Sequence, residues 1–356
     1  MPNGNGVAAQ EPLPGMVDIS PWAVPAGEDQ ELDRVAAEFR LLDPGGSRIA
    51  AAIRGAIDYL LDGQHTGRYR WDQLHKTEKT HAGTLVEIGL QRQLGLADGN
   101  TLDYSVAGTE VDCKFSQRSG GWMIPPEAIG KLLLLVQASD EDGTWSAGLV
   151  RAREEHLREA GNRDRKRALS ESGRAAIGWL FLRAPLQENA LLRLAARDVA
   201  TIFACPSGQQ RVNELFRRAQ RRRVSRTVVA TVARQDDYMK RVRAGGGARD
   251  QLRGEGIVIF GDYAGDQALA AALGLPRPGP GEFVSARLAA ADPRHRAAWG
   301  DDASRPSRPP AVLAWGDDAS RPPRPPARHS VRLNGTYWTV AGPSDPSEPG
   351  PVLPRG

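Results

Sequence analysis

LDYSVAGTEVDCKF, residues 102–115, alternates charged and apolar side chains from Glu110 onward. In an extended strand successive side chains point to opposite faces, so Glu110, Asp112 and Lys114 line one side while Val111, Cys113 and Phe115 enter a core. Two carboxylates and an ammonium on one face of an otherwise apolar strand are costly unless they pair or hold a metal ion. Asp103 lies nine residues before Asp112, and Gly108 between them permits a turn that returns Asp103 to the same edge. The result is D-x8-D-x-K. By itself this spacing also fits a surface salt-bridge cluster.

The strand itself spans Val111–Phe115, and outward from it apolar runs predict further strands at Leu132–Ala138 and Trp145–Ala152. The last two flank Asp140-Glu141-Asp142-Gly143, a turn signal that makes them a hairpin. Upstream, Leu85, Val86, Ile88 and Leu90 mark a helix that carries Glu87. Helices alternating with strands of this quality from Glu31 to Ala184 predict an α/β domain, a central mixed sheet covered on both faces. The preceding residues 1–30, rich in Gly, Pro and Ala, read as a flexible tail.

A second domain is expected over 185–343, with a short tail at 344–356. Ser207 and Gln210 have capping-box spacing, followed by Val212, Leu215, Phe216 and Ala219 at helical intervals. Ser225 then caps a predicted helix running to Arg243, stopped by Gly245-Gly246-Gly247. With the turn and apolar strand of Leu252–Phe260, this is the order of a helix-turn-helix and a wing. Trp299–Ala311 is repeated almost unchanged at Trp315–Ala327, and its proline density reads as an extended insertion, placed at 291–328, between strand-like stretches at Glu282–Leu288 and Ser330–Val340.

Composition narrows the function. No apolar run is long enough to cross a bilayer, and the first residues lack the pattern of a secretory signal. Two distant cysteines, Cys113 and Cys205, suit a reducing cytoplasm, and six scattered histidines make no zinc spacing. The overall charge is +4, but thirteen Arg or Lys stand against five Asp or Glu between Thr201 and Phe260, a local net of +8. Such a concentration fits a polyanion partner, nucleic acid above all.

The chemistry of the first motif suits that partner. Hydrolysing a phosphodiester calls for a cation to neutralise the phosphate and polarise an attacking water. Magnesium takes a few carboxylate oxygens and keeps several waters. Asp103 and Asp112 are the expected ligands, Lys114 positions or deprotonates the water, and Glu87 completes the site as ligand or water acceptor. D-x8-D-x-K is also the pattern of nucleases of the PD-(D/E)xK class.

Longer blocks carry a closer resemblance. YLLDGQHTGRYRWDQLHKTEKTHAGTLVEIGL (59–90), the stretch from LDYSVAGTEVDCKF to PPEAIG (102–130), GNRDRKRAL (161–169), SGQQRVNELFRRAQRRRVSRTVVATVA (207–233) and MKRVRAGGGAR (239–249) resemble the NaeI-type restriction endonucleases of type IIE. The resemblance covers most of the chain outside the first residues and the duplicated segment. It implies catalytic roles for Glu87, Asp103, Asp112 and Lys114, and a C-terminal domain with a winged helix-turn-helix like that of catabolite activators. It further implies a homodimer that binds two copies of a double-stranded DNA site, one cleaved and one acting as effector. A G/C-only site, GCCGGC, and a companion DNA methyltransferase in the same host follow from the same resemblance. Leu60-Leu61-Asp62-Gly63 is similar to the K-x-D-G of DNA ligases, but Leu60 stands where the nucleophilic lysine belongs, so no ligase activity is expected.

Residues that read DNA are expected in two places. Gln117, Arg118 and Ser119 follow the catalytic strand within reach of base edges. Arg226, Thr227, Thr231 and Arg234 lie on the outward face of the predicted recognition helix, with Arg221, Arg222 and Arg223 set against phosphates. The rival readings are a nicking or mismatch-repair endonuclease and a non-catalytic winged-helix regulator.

Overall fold

The computed structural model describes residues 28–291 and 329–354. They fall into two compact units, one formed by the chain up to Asp62 with Arg68–Leu192, the other by Gly63–Gly67 with the chain from Arg193 onward. The tail before residue 28 and both copies of the duplicated segment lie outside the described residues.

In the first unit α1 (Gln30–Leu42) and α2 (Ser47–Leu61) precede α4 (Lys76–Leu94); the single turn α3 (Gly63–Thr66) between them belongs to the second unit. The strands are β1 (Ala97–Asp98), β2 (Tyr104–Val106), β3 (Thr109–Ser116), β4 (Leu132–Ser139), β5 (Thr144–Arg151) and β8 (Gly178–Pro185), joined in that order in one sheet. All neighbours are antiparallel except β3 and β4, so the sheet is mixed, as expected. A small hairpin of β6 (Leu157–Gly161) and β7 (Arg167–Leu169), followed by α5 (Glu171–Ala175), sits between β5 and β8.

β4 shows why both faces are covered. Leu132, Leu134, Val136 and Ala138 join the core shared with the helices, whereas Leu133 and Leu135 join a second core with Trp122, Ile124, Val150 and Ile177. A strand buried on both sides reads as a continuous apolar run, and LLLLV is one. In α4, Ala82, Val86, Leu90 and Leu94 recur every fourth residue and form a single buried stripe. That stripe seats the helix against α2 and β3 and so fixes where Glu87 stands.

The second unit begins with α6 (Ala196–Ala204) and α7 (Gly208–Arg218), the latter started by the predicted box: Ser207 Oγ accepts from the Gln210 N–H, and the Gln210 side chain accepts from the Ser207 N–H. Then come β9 (Arg223–Ser225), α8 (Arg226–Ala233), α9 (Ala248–Gln251), β10 (Ile257–Phe260), α10 (Ala264–Ala272), β11 (Glu282–Ala290), β12 (Ser330–Leu333) and β13 (Thr336–Val340). β11 pairs with β9, β10 and β13, and the β12–β13 hairpin turns at Asn334-Gly335, both at positive φ. Residues after β13 lie along this sheet: Gly350 N–H donates to the Arg253 carbonyl, and Leu353 packs on the core of Val258, Phe260 and Leu288.

One predicted element is corrected. The helix capped by Ser225 ends at Ala233, not Arg243, because Arg234 takes a left-handed conformation (φ 53°, ψ 48°). Gln235, Asp236 and Asp237 offer no apolar side chain to prolong a buried stripe. The chain resumes as a 3-10 turn at Tyr238–Arg241.

Candidate active site

The catalytic strand is held by a hairpin. β2 and β3 pair with Tyr104 opposite Val111 and Val106 opposite Thr109. Ala107 and Gly108, both at positive φ, make the two-residue turn. Extending that register by one residue sets Asp103 opposite Asp112. The D-x8-D spacing is thus the imprint of a hairpin. Asp103 Oδ2 accepts the Cys113 backbone N–H at 2.6 Å, which fixes the carboxylate at the strand edge.

The expected alternation holds along β3. Val111 and Cys113 are buried in the helix-side core and Phe115 packs against it. Asp112 is 5% exposed, and its Oδ2 lies 2.5 Å from Lys114 Nζ. This is an ion pair without an aligned hydrogen bond, since that oxygen finds no well-oriented donor. Lys114 Nζ instead donates to the Cys113 carbonyl at 3.1 Å. Glu110 departs from the group: its Oε1 accepts the N–H groups of Asn100 and Thr101 and so ties the loop that leads to Asp103. Those backbone donors hold its carboxyl below the usual range.

Glu87 approaches from α4. Its carbonyl accepts from the Tyr104 hydroxyl at 2.8 Å, and Tyr104 is wholly buried in the same core. Burial pushes the Glu87 carboxyl up, Asp103 and Asp112 push it further, and Lys114 opposes them. Asp112 is likewise pushed up by burial and by Asp103 and Glu127, against the pull of Lys114. Three carboxylates facing one ammonium leave an excess of negative potential. Glu127, between β3 and β4, and the tether from Tyr104 emerge only from the structure; no spacing in the sequence distinguishes either.

A family model for the restriction endonuclease NaeI matches residues 33–299. The type II restriction enzyme NaeI of Lentzea aerocolonigenes is 45% identical over 337 residues, covering 93% of this chain and 96% of that protein. The chain belongs to the NaeI restriction endonuclease family. Membership makes it a type II restriction enzyme, a deoxyribonuclease that cuts DNA at specific sites.

Type II restriction enzymes generally work with a divalent metal ion. Among the described residues no three His, Cys, Asp or Glu side chains close around one point. The set still fits a hard cation held by two carboxylates and several waters: Asp103, one residue beyond the paired hairpin, is near enough to Asp112 to push its carboxyl up, and the buried Asp112 Oδ2 lacks an aligned donor.

The residues expected to read DNA fare differently. Ser116 Oγ, bonded to both the N–H and carbonyl of Arg118, folds a tight turn that leaves Arg118 exposed. Gln117 Nε2 is buried without a partner. In the second unit Arg221, Arg222, Arg223, Arg226 and Arg234 are exposed. Arg221 donates to the Ala341 carbonyl, Arg223 faces Glu282 at 3.8 Å and Arg226 faces Asp262 at 3.7 Å. Thr231 is corrected: it is 4% exposed and its hydroxyl donates to the Thr227 carbonyl at 2.8 Å, so it cannot face a groove. Six successive residues of α8, Val228–Ala233, are buried, leaving Arg226, Thr227 and Arg234 at its ends.

Proposed function

We propose that the chain hydrolyses both strands of duplex DNA at a G/C-rich palindrome, GCCGGC or a close variant, with magnesium, leaving 5′-phosphate and 3′-hydroxyl ends. The observation that carries the reading is the opposed Asp103 and Asp112 with Lys114 beside them. Magnesium, when bound, would neutralise the scissile phosphate and lower the pKa of the attacking water. Asp103 and Asp112 would hold it, and Glu87 would accept from one of its waters. Lys114, released from Asp112, would orient the nucleophile and offset charge on the phosphate in the transition state. Gln117 would have to turn its buried amide outward to meet a base-edge acceptor, a move favoured because a buried donor left unmade costs about 1–3 kcal/mol. Arg118 would reach guanine or a neighbouring phosphate.

The second unit would bind a further copy of the site and stimulate cleavage, within a homodimer whose two-fold axis matches the palindrome. A winged-helix reading is supported by the element order α7, β9, α8, α9, β10, with α10 between β10 and β11, and by β11 pairing with both β9 and β10. With α8 buried, the DNA surface falls to its ends, Arg226, Thr227 and Arg234, and to the exposed basic stretch after it, Lys240, Arg243 and Arg253, with Arg221, Arg222 and Arg223 on phosphates. A companion methyltransferase would protect the host DNA. The test is incubation of one-site and two-site plasmids with magnesium, followed by mapping of the fragment ends. Discrete double-strand fragments, faster from the two-site plasmid and absent with Asp112→Ala, are expected. Nicked circles, or a gel shift without cutting, would reject the reading in favour of a nicking enzyme or a regulator.

A further inference from the structure

We infer that Gly63–Gly67 is a coupling arm through which DNA held by the second unit acts on the nuclease site. The inference rests on the reading of that unit as an effector binder. α2 ends at Asp62, left-handed at φ 45°, and the next five residues belong to the second unit before the chain returns at Arg68. Within that unit α3 packs along α8. Gln64 Nε2 donates to Asp236 Oδ1 at 2.9 Å, and Gly67, at φ 77°, passes beside the stem of Arg234. The arm is therefore docked on the C-terminal end of α8, where two of the proposed DNA-facing cations flank an acid.

Its return is held by one guanidinium. Arg68 Nε donates to the Leu61 carbonyl and Nη2 to the Leu60 carbonyl, both at 3.1 Å, capping the end of α2. The same group forms a two-pronged pair with Glu78, at 2.8 and 2.9 Å. Glu78 Oε2 also accepts the His75 N–H at 2.7 Å and so starts α4. Nine residues further along α4 stands Glu87, its carbonyl tied to Tyr104 beside Asp103. Each step along this path is a short polar bond or a rigid helix, and five residues span at most ~18 Å, so the arm has little slack.

A coupling also needs something that differs between the DNA-free and DNA-bound states. Asp236 supplies it. A duplex drawn to Arg234 and Lys240 brings phosphates against an exposed carboxylate that now holds Gln64, and like charges repel. The arm shifts, and Arg68 passes the shift to the ends of α2 and α4.

The experiment uses full-length protein, a cleavable duplex with one site, and a hydrolysis-resistant duplex carrying the same site as effector. Gln64→Ala should leave unstimulated cleavage and effector binding, read by fluorescence anisotropy, within about twofold of wild type. It should cut the stimulation by about two- to tenfold, the range of one lost hydrogen bond. Two glycines inserted between Gly67 and Arg68 keep the bonds at either end but slacken the link, and should abolish stimulation. In wild type the effector should change amide exchange across residues 76–94, and in the insertion variant it should not. If the insertion lowers the melting temperature, Gln64→Ala decides. Full stimulation in that variant, with wild type also stimulated, overturns the arm and leaves the two-duplex reading standing. Absence of stimulation in wild type removes both.

Discussion

Glu87 illustrates how a single group can serve activity at the expense of the fold. Its carboxyl is half-buried and raised above the ordinary value, by burial first and then by Asp103 and Asp112. A carboxylate with a raised folded pKa binds more protons in the native state than in the unfolded one. Stability therefore falls as pH rises from the unfolded value, about 4, through the raised one. Glu87→Gln removes that cost. In chelator-treated protein the variant should melt higher than wild type at pH 7–8, with the difference shrinking toward pH 4, while cleavage is lost. Thermal melts across that pH range check it; an unchanged melting temperature at pH 8 would show that the acidic cluster carries no such strain. Asp103 and Lys114 were legible in the sequence because period-two patterning and a glycine turn dictate their place. Glu127 and Tyr104 were not, since they reach the site through packing that no local spacing records.

At the level of elements, the hairpin of β4 and β5 and the capping box of α7 were readable because turn chemistry and caps act over four residues. The end of α8 was not. Sequence periodicity carried the helix through Val232 to Met239 and Val242, and Val242 is indeed buried, but on a separate turn beyond the left-handed Arg234. Burial of α8 on all sides moves the expected DNA-facing surface toward Lys240 and Arg243. Replacing these two by alanine should weaken binding of the second unit to any duplex. The slope of log affinity against log salt should fall by about 2 in magnitude, about one for each phosphate no longer neutralised. Thr231→Val should leave that slope unchanged. Titrations at several salt concentrations distinguish the cases, and an unaltered slope in the double variant would place the duplex elsewhere.

For the molecule as a whole, the path of the chain matters more than either unit alone. The backbone passes between the units at Asp62/Gly63, at Gly67/Arg68 and at Leu192/Arg193. A protease site introduced near Leu192 and cut in the folded protein should therefore leave the two fragments co-eluting, because the first still lends Gly63–Gly67 to α8. Separation on size exclusion without denaturant would show that the lent turn binds weakly. The three passages also bear on protein engineering. An end-to-end graft assumes that a domain is a continuous stretch of text, to be lifted out at one seam. Here a chimera meant to change what the second unit recognises has to take its five borrowed residues along, sewn into the middle of the nuclease.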